Sequence, residues 1–274
     1  PDMLPLVDLA QNSIDQIVTR VPGGVANVQD IYPLAPLQEG ILYHHLMAPG
    51  DDPYQRTVLF NFDSLERVHQ FAAALQTVIA RHDILRTSVL WEGLDDPVQV
   101  VWREAHLTLE HVLLEPTDGD IAARLHERFD PRHHRLDLRQ APLMHMVCAQ
   151  DPANERWVAM LRFHHLIDDV TSLAVISREV EACMLGQEQQ LPASVPYRNY
   201  VAQARLGVSI EAHEAFFREL LGDIDEPTLP FDLHDVQGDG SELEEVRQQV
   251  DAELARRLRQ QAKSLGVSVA SLYH

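Results

Sequence analysis

Residues 155–185 read ERWVAMLRFHHLIDDVTSLAVISREVEACML, and the reading of the whole chain turns on this stretch. Its first third is a β-prone apolar run ending at Phe163. TSLAVISREVEACML then shows the spacing of an amphipathic helix. Between them fall His164 and His165, with Asp169 four residues beyond the second histidine. A strand end holds side chains rigidly while letting them reach a cleft, and an imidazole, with an ordinary pKa of about 6.5, suits proton transfer near neutrality. On spacing alone, packing is the commoner fate of such a pair. The chain has 15 histidines, and further pairs occur at 44–45 and 133–134. Metal binding by His164, His165 and Asp169 is disfavoured, because neighbours on a strand point to opposite faces and no further ligands lie nearby in sequence. No GxSxG elbow, phosphate loop or dinucleotide fingerprint occurs.

Upstream, AspProAlaAsn at 151–154 separates this strand from PLMHMVCAQ (142–150), which predicts a hairpin. LRTSVLW (85–91) and VQVVW (98–102) flank EGLDDP and predict a second hairpin. RTVLFNF (56–62) has strand character. Asp63 or Ser64 then caps a helix whose Leu65, Val68, Phe71, Leu75, Val78 and Ile79 share one face. A further helix is expected at about 119–129. Residues 3–20 have helical spacing and end at the breaker ValProGlyGly, 21–24. Beyond Gly186 a polar, proline-bearing connector leads to helical stretches at 198–206 and 211–222, then to a Pro-, Asp- and Gly-rich region at 224–241. VRQQV (246–250) reads as a strand, DAELARRLRQQAKSLGVS as a helix, and SLYH as the opening of another helix. No solenoid repeat is visible.

The composition suits a folded chain. Across 274 residues, 45% are hydrophobic, enough for a sizeable core. With 42 acidic against 22 basic residues the net charge is −20, which repels nucleic acid and anionic lipid surfaces and helps solubility. Cys148 and Cys183 lack CxxC spacing, so neither a disulfide framework nor a cysteine zinc site is expected. The start has no signal-peptide pattern and no run is long enough to span a bilayer; a cytoplasmic location is expected.

Four segments resemble motifs of the condensation domains of nonribosomal peptide synthetases. FHHLIDDVTSL (163–173) is similar to the HHxxxDG motif, and RHDILRTSV (81–89) to RHExLRT. YPLAPLQEGILYHH (32–45) is similar to the first motif and YRNYV (197–201) to the fourth. They follow the family's order and usual separations. The resemblance implies a mixed α/β (α+β) fold of chloramphenicol acetyltransferase-like lobes, two set in a V around a tunnel. Residues 1–24 would be a lead-in linker from an upstream carrier domain and 25–186 the N-terminal lobe. Residues 187–241 would be a connector with helices, and 242–274 the start of an incomplete C-terminal lobe.

The resemblance also implies a chemistry. An upstream carrier would present a thioester-bound acyl or peptidyl donor, and a downstream carrier an aminoacyl acceptor whose amine attacks it. An adenylation domain would lie alongside. No metal or organic cofactor is implied, since both substrates ride on phosphopantetheine arms. His165 would take the amine proton or orient the amine. His164 would support it from the core, and Asp169 would pair with Arg86 to shape the loop. Val170 replaces the glycine of the motif, where a branched side chain would narrow the tunnel. HHLMAPGDD (44–52) is similar to HH[IL]xxxxGD, the signature of dual epimerization and condensation domains, with His44, His45 and Asp52 matching and Asp51 in place of glycine. The alternatives are a plain condensation domain, a dedicated epimerization domain, a free-standing acyltransferase and a non-catalytic docking module of the same fold.

Overall fold

The computed structural model describes residues 4–47, 52–114, 119–227, 229, 246 and 248–273. The chain divides into two compact units, Pro1–Asp225 and Glu226–His274.

The first unit is built on a four-stranded sheet in the order β2-β7-β6-β5: β2 (Gln55–Phe62), β7 (Arg156–His164), β6 (Met144–Asp151) and β5 (Thr108–His111). β7 pairs antiparallel with β2 and β6, whereas β5 joins β6 in parallel. Both faces of β7 are covered, which is why its sequence is almost continuously apolar rather than alternating. Ala159, Leu161 and Phe163 pack with α3 (Leu65–Arg81) and α5 (Val170–Met184). Val158 and Met160 pack with Ile121, Leu125 and Phe129 on and just beyond α4 (Ile121–Arg128). The predicted N-cap of α3 is Ser64, whose hydroxyl accepts from the Arg67 amide. Val68, Leu75, Val78 and Ile79 of α3 are buried. At about 1.5–3 kcal/mol per fully buried aliphatic side chain, that face fixes the helix on the sheet.

A second, three-stranded antiparallel sheet runs β1-β4-β3: β1 (Val28–Pro33), β4 (Val98–Trp102) and β3 (Thr87–Leu90). Both predicted hairpins are present. Residues 1–24, expected as a linker, do not stand apart over their described length. α1 (Gln11–Arg20) and its approach bury Leu9, Ile17 and Val21 against Ile31, Val98, Val100 and Trp102. Apolar residues at helical spacing found the face of the small sheet to bury against. The break after α1 is present: Gly23 and Gly24 have φ of 86° and 60°, the left-handed region that suits glycine. α2 (Pro36–Met47) follows β1.

The expected connector does not begin a separate body at 187 either. α6 (Tyr197–Leu206) buries Val201 against Tyr32, Ala35 and Val101, and Arg198 and Arg205 pair with Asp30 and Glu39. α7 (Ile210–Leu221) follows, capped by Ser209.

In the second unit α8 (Ala252–Leu265) is capped by Asp251, whose side chain accepts from the Glu253 and Leu254 amides, and ends at Gly266. Val246 and residues 248–250, expected as a strand, have no regular structure. A β-prone pentapeptide gains nothing as a strand without a neighbour to complete its ladder. The expected closing helix is a single 3-10 turn, Ala270–Leu272. Most of 224–241 lies outside the described residues.

Candidate active site

β7 ends at His164, and its side chains continue the alternation of the strand: His164 turns inward and is fully buried, while the side chain of His165 is 30% exposed. The loop between them and α5 is tightly held. The His165 amide donates to the Tyr54 carbonyl at 2.9 Å, and the Ile167 amide to the His164 carbonyl at 3.1 Å. Leu166 and Ile167 are buried in the main core. Gln38 of α2 donates to the Leu166 carbonyl at 2.8 Å and exchanges amide hydrogen bonds with Gln99 of β4, both at 3.0 Å.

His165 lines a cleft of about 310 Å³ together with Gln38, Ile41, Asp168, Tyr197 and Tyr200. Its Nδ1 lies 3.2 Å from the carbonyl oxygen of Asp168. A carbonyl can only accept, so the neutral ring carries its proton on Nδ1 and leaves Nε2 as the basic nitrogen. That is the arrangement a proton acceptor needs.

His164 is wired differently. Its Nδ1 accepts from the Leu166 amide at 3.2 Å, which puts the ring proton on Nε2, 3.3 Å from Oδ2 of Asp52 and not aligned as a hydrogen bond. Burial favours the neutral ring and pushes its pKa down, against the pull of Asp52. Asp52 is itself buried, and its Oδ2 is 2.6 Å from Nδ1 of His45. Desolvation would push the Asp52 carboxyl up, but the adjacent His164 and His45 imidazoles hold it far below the usual carboxylate range. His45, Asp52 and His164 offer three donor atoms within 4.8 Å of one another, the one such group among the described residues that could ligate a metal. Arg135, however, places its guanidinium 2.7 Å from His45 Nδ1 and 3.6 Å from Asp52 Oδ2. With that cation in place the trio is an ion-paired network rather than a ligand set.

The histidine pair of the epimerization signature splits as the pair at the end of β7 does. His45 faces the network, while His44 is exposed, its ring beside those of Tyr43 and Tyr54. Asp51 lies outside the described residues.

The expected Asp169–Arg86 pair does not form. Asp169 is exposed and caps α5: its Oδ1 accepts from the Ser172 amide at 2.7 Å, and its own amide donates to the Ser172 hydroxyl at 2.6 Å. These bonds from Ser172 hold its carboxyl below the usual range. Arg86 is buried after the turn that ends α3, where its NH1 donates to Gln29 at 2.9 Å, to the Arg103 carbonyl at 3.3 Å and to the Trp102 carbonyl. Each group is spent on its own neighbourhood. Asp169→Ala should cost about 0.5–2 kcal/mol, as loss of an N-cap does. Combined with Arg86→Ala, the two costs should add to within about 0.5 kcal/mol in thermal or urea melts; a larger coupling would mean that the residues interact. Val170, expected to narrow the tunnel, is 84% exposed and is not among the residues lining the cleft.

Sequence reading missed Asp168, Gln38, Tyr197 and Tyr200 as cleft residues, and Arg135 as a member of the buried network. The signal for Asp168 was the Asp168-Asp169 doublet itself, of which only the second member falls at the motif position.

The mixed α/β unit, with a histidine on the tightly held loop after a central strand, has the fold class that the sequence resemblance implies. Residues 28–274 match the family model of the condensation domain, and the chain belongs to that family, found in nonribosomal peptide synthetases. It is 52% identical over 274 residues, all of this chain, to malpinin synthetase of Mortierella alpina. It is 32% identical over 237 residues, 83% of this chain, to one of the linear gramicidin synthase polypeptides of Brevibacillus parabrevis. The chain spans 4% of the length of either relative. A crystal structure of a variant of the starter condensation domain of rhizomide synthetase superposes with a TM-score of 0.58 at 18% identity, covering 73% of this chain and 50% of that one. No helix among the described residues is long and apolar enough to cross a membrane.

Proposed function

We propose that this chain carries the histidine-bearing half of a site that joins a carrier-bound acyl or peptidyl thioester to a carrier-bound aminoacyl group. The observation that supports this reading is His165, held by its backbone and by Nδ1 so that Nε2 is the basic nitrogen on a side chain that lines the cleft. The acceptor amine attacks the thioester carbonyl. A C–N bond forms, the C–S bond breaks, and the phosphopantetheine thiol of the upstream carrier leaves. The amine proton passes to Nε2 of His165, which can return it to the departing thiolate. The chain's own groups supply both proton transfers, so no further cofactor enters. The partners in this reading are peptidyl carriers on both sides and an adjacent adenylation domain, in the cytoplasm. Loaded donor and acceptor carriers mixed with the complete domain should yield an amide-linked product on the downstream carrier by mass spectrometry. Absence of product while both carriers stay loaded would leave a docking module.

A second reading, inversion of the donor residue before condensation, is favoured by one observation. His45 and Asp52 of the signature are joined at 2.6 Å and reach His164, directly behind the motif. Removing an α-proton and returning it on the opposite face needs a base beside the donor α-carbon, and His165 is the candidate. An L-configured, α-deuterated donor should then lose its label and give a D-configured product. Washout should vanish in His165→Ala and weaken in His45→Ala. Retained label with an L-configured product would leave plain condensation.

A further inference from the structure

The site contains a second carboxylate that the motif does not account for. Asp168 sits between the family-matched His165 and Asp169, and its side chain is fully buried at the wall of the cleft. Its Oδ1 lies 3.4 Å from Nδ1 of His165, and among the described residues neither carboxylate oxygen makes an aligned hydrogen bond. A buried, under-satisfied carboxylate costs stability. We propose that Asp168 is a positioning residue for His165: its backbone carbonyl accepts the Nδ1 hydrogen and fixes the ring, and the negative charge of its carboxylate, 3.4 Å from Nδ1, stabilises the imidazolium that forms when Nε2 takes a proton.

The groups around it fit this assignment. From the same loop come His165 and Asp169, and from β2 Arg56; His164, at the strand end, acts on His165. Gln38, Tyr197 and Tyr200, which line the cleft with it, are neutral side chains. Of these charged neighbours, His165 is the one within ion-pair distance of the carboxylate among the described residues. Burial pushes the Asp168 carboxyl up from 3.8 to about 6, against the opposing pull of His165. The folded chain thus binds this proton more tightly than the unfolded chain does. As pH rises from about 4 to 6 the folded state loses stability through this group, and above about 6 the whole penalty is present.

A structural role and a positioning role therefore predict opposite things, and the test uses that. Asp168→Asn keeps the shape and loses the charge, and Asp168→Leu matches the apolar core around Leu166 and Ile167. The inference rests on the condensation reading for its kinetic arm only. In the complete synthetase, kcat should fall about tenfold to a hundredfold at unchanged KM for the loaded acceptor carrier, less than the loss of the base itself. In the 274-residue chain, side-chain NMR should show His165 taking up its proton at lower pH in both variants than in the parent. Thermal melts above pH 6 should show both variants at least as stable as the parent. Unchanged kcat together with an unchanged His165 titration would overturn the proposal, as would variants that lose activity only in step with lost stability. If the parent protein forms no amide at all, the condensation reading fails while the titration still decides whether Asp168 and His165 act as a pair.

Discussion

His165→Ala in the complete domain is expected to lower amide formation by about 10²- to 10⁴-fold, the usual contribution of a general base, while leaving the fold intact. That loss corresponds to about 3–5 kcal/mol of transition-state stabilisation. The fold should survive because the loop is anchored by more than the imidazole. The His165 backbone amide is bonded to Tyr54, Leu166 and Ile167 are anchored in the core, and Gln38 holds the Leu166 carbonyl. The side chain itself is 30% exposed, so truncation leaves no closed cavity. Product formation from loaded carriers, followed by mass spectrometry, is the measurement. Undiminished formation would remove His165 from the chemistry, and a loss of only about tenfold would point to an orienting hydrogen bond in place of proton transfer.

Asp52→Ala is expected to have the largest effect on stability, about 3–5 kcal/mol, because it strands Arg135 and the two imidazoles beside a vacated buried site. Asp52 is fully buried at the side chain and sits within 4 Å of His45, Arg135 and His164. For a unit of this size the melting temperature should fall by roughly 10 °C. The pH dependence has a definite sign. A carboxyl held below its unfolded value contributes stability that is complete above about pH 4 and is lost as pH falls below it. The parent chain should therefore weaken in acid, while Asp52→Asn should show a flatter profile there. His44→Ala, at an exposed position, should stay within about 0.5 kcal/mol of the parent. Equal effects of Asp52→Ala and His44→Ala would mean that the network adds nothing to the fold.

The parts legible in the sequence were those whose cause is local. The alternation of RTVLFNF, the apolar face of α3 and the cap at Ser64 each report a residue's relation to neighbours a few positions away, and each is found. The two hairpins were legible because turn chemistry sits between β-prone runs. The resemblance located His165 by its place in a motif. What escaped depends on separations the chain does not display. Arg135 meets His45 across 90 residues, and Gln38 reaches Leu166 across 128. Asp169 and Arg86 invite pairing because both carry charge and both fall in motifs. In the fold a cap and a set of carbonyls satisfy them first. The strand expected at 246–250 failed for a related reason, since β propensity describes a willingness to pair and not a partner.

The reciprocal amide pair between Gln38 and Gln99 ties together things that share no covalent neighbourhood. Gln99 is in the middle of the small sheet, where its side-chain amide also donates to the Pro33 carbonyl, and Gln38 carries the connection on to the loop beyond β7. The small sheet contributes no side chain to the cleft, yet it works as the gauge block against which the imidazole is set. A slip of β4 against β1 by one residue would turn Gln99 to the opposite face and release the loop. The histidine's tolerance is thus machined by a strand that lines no part of the cleft.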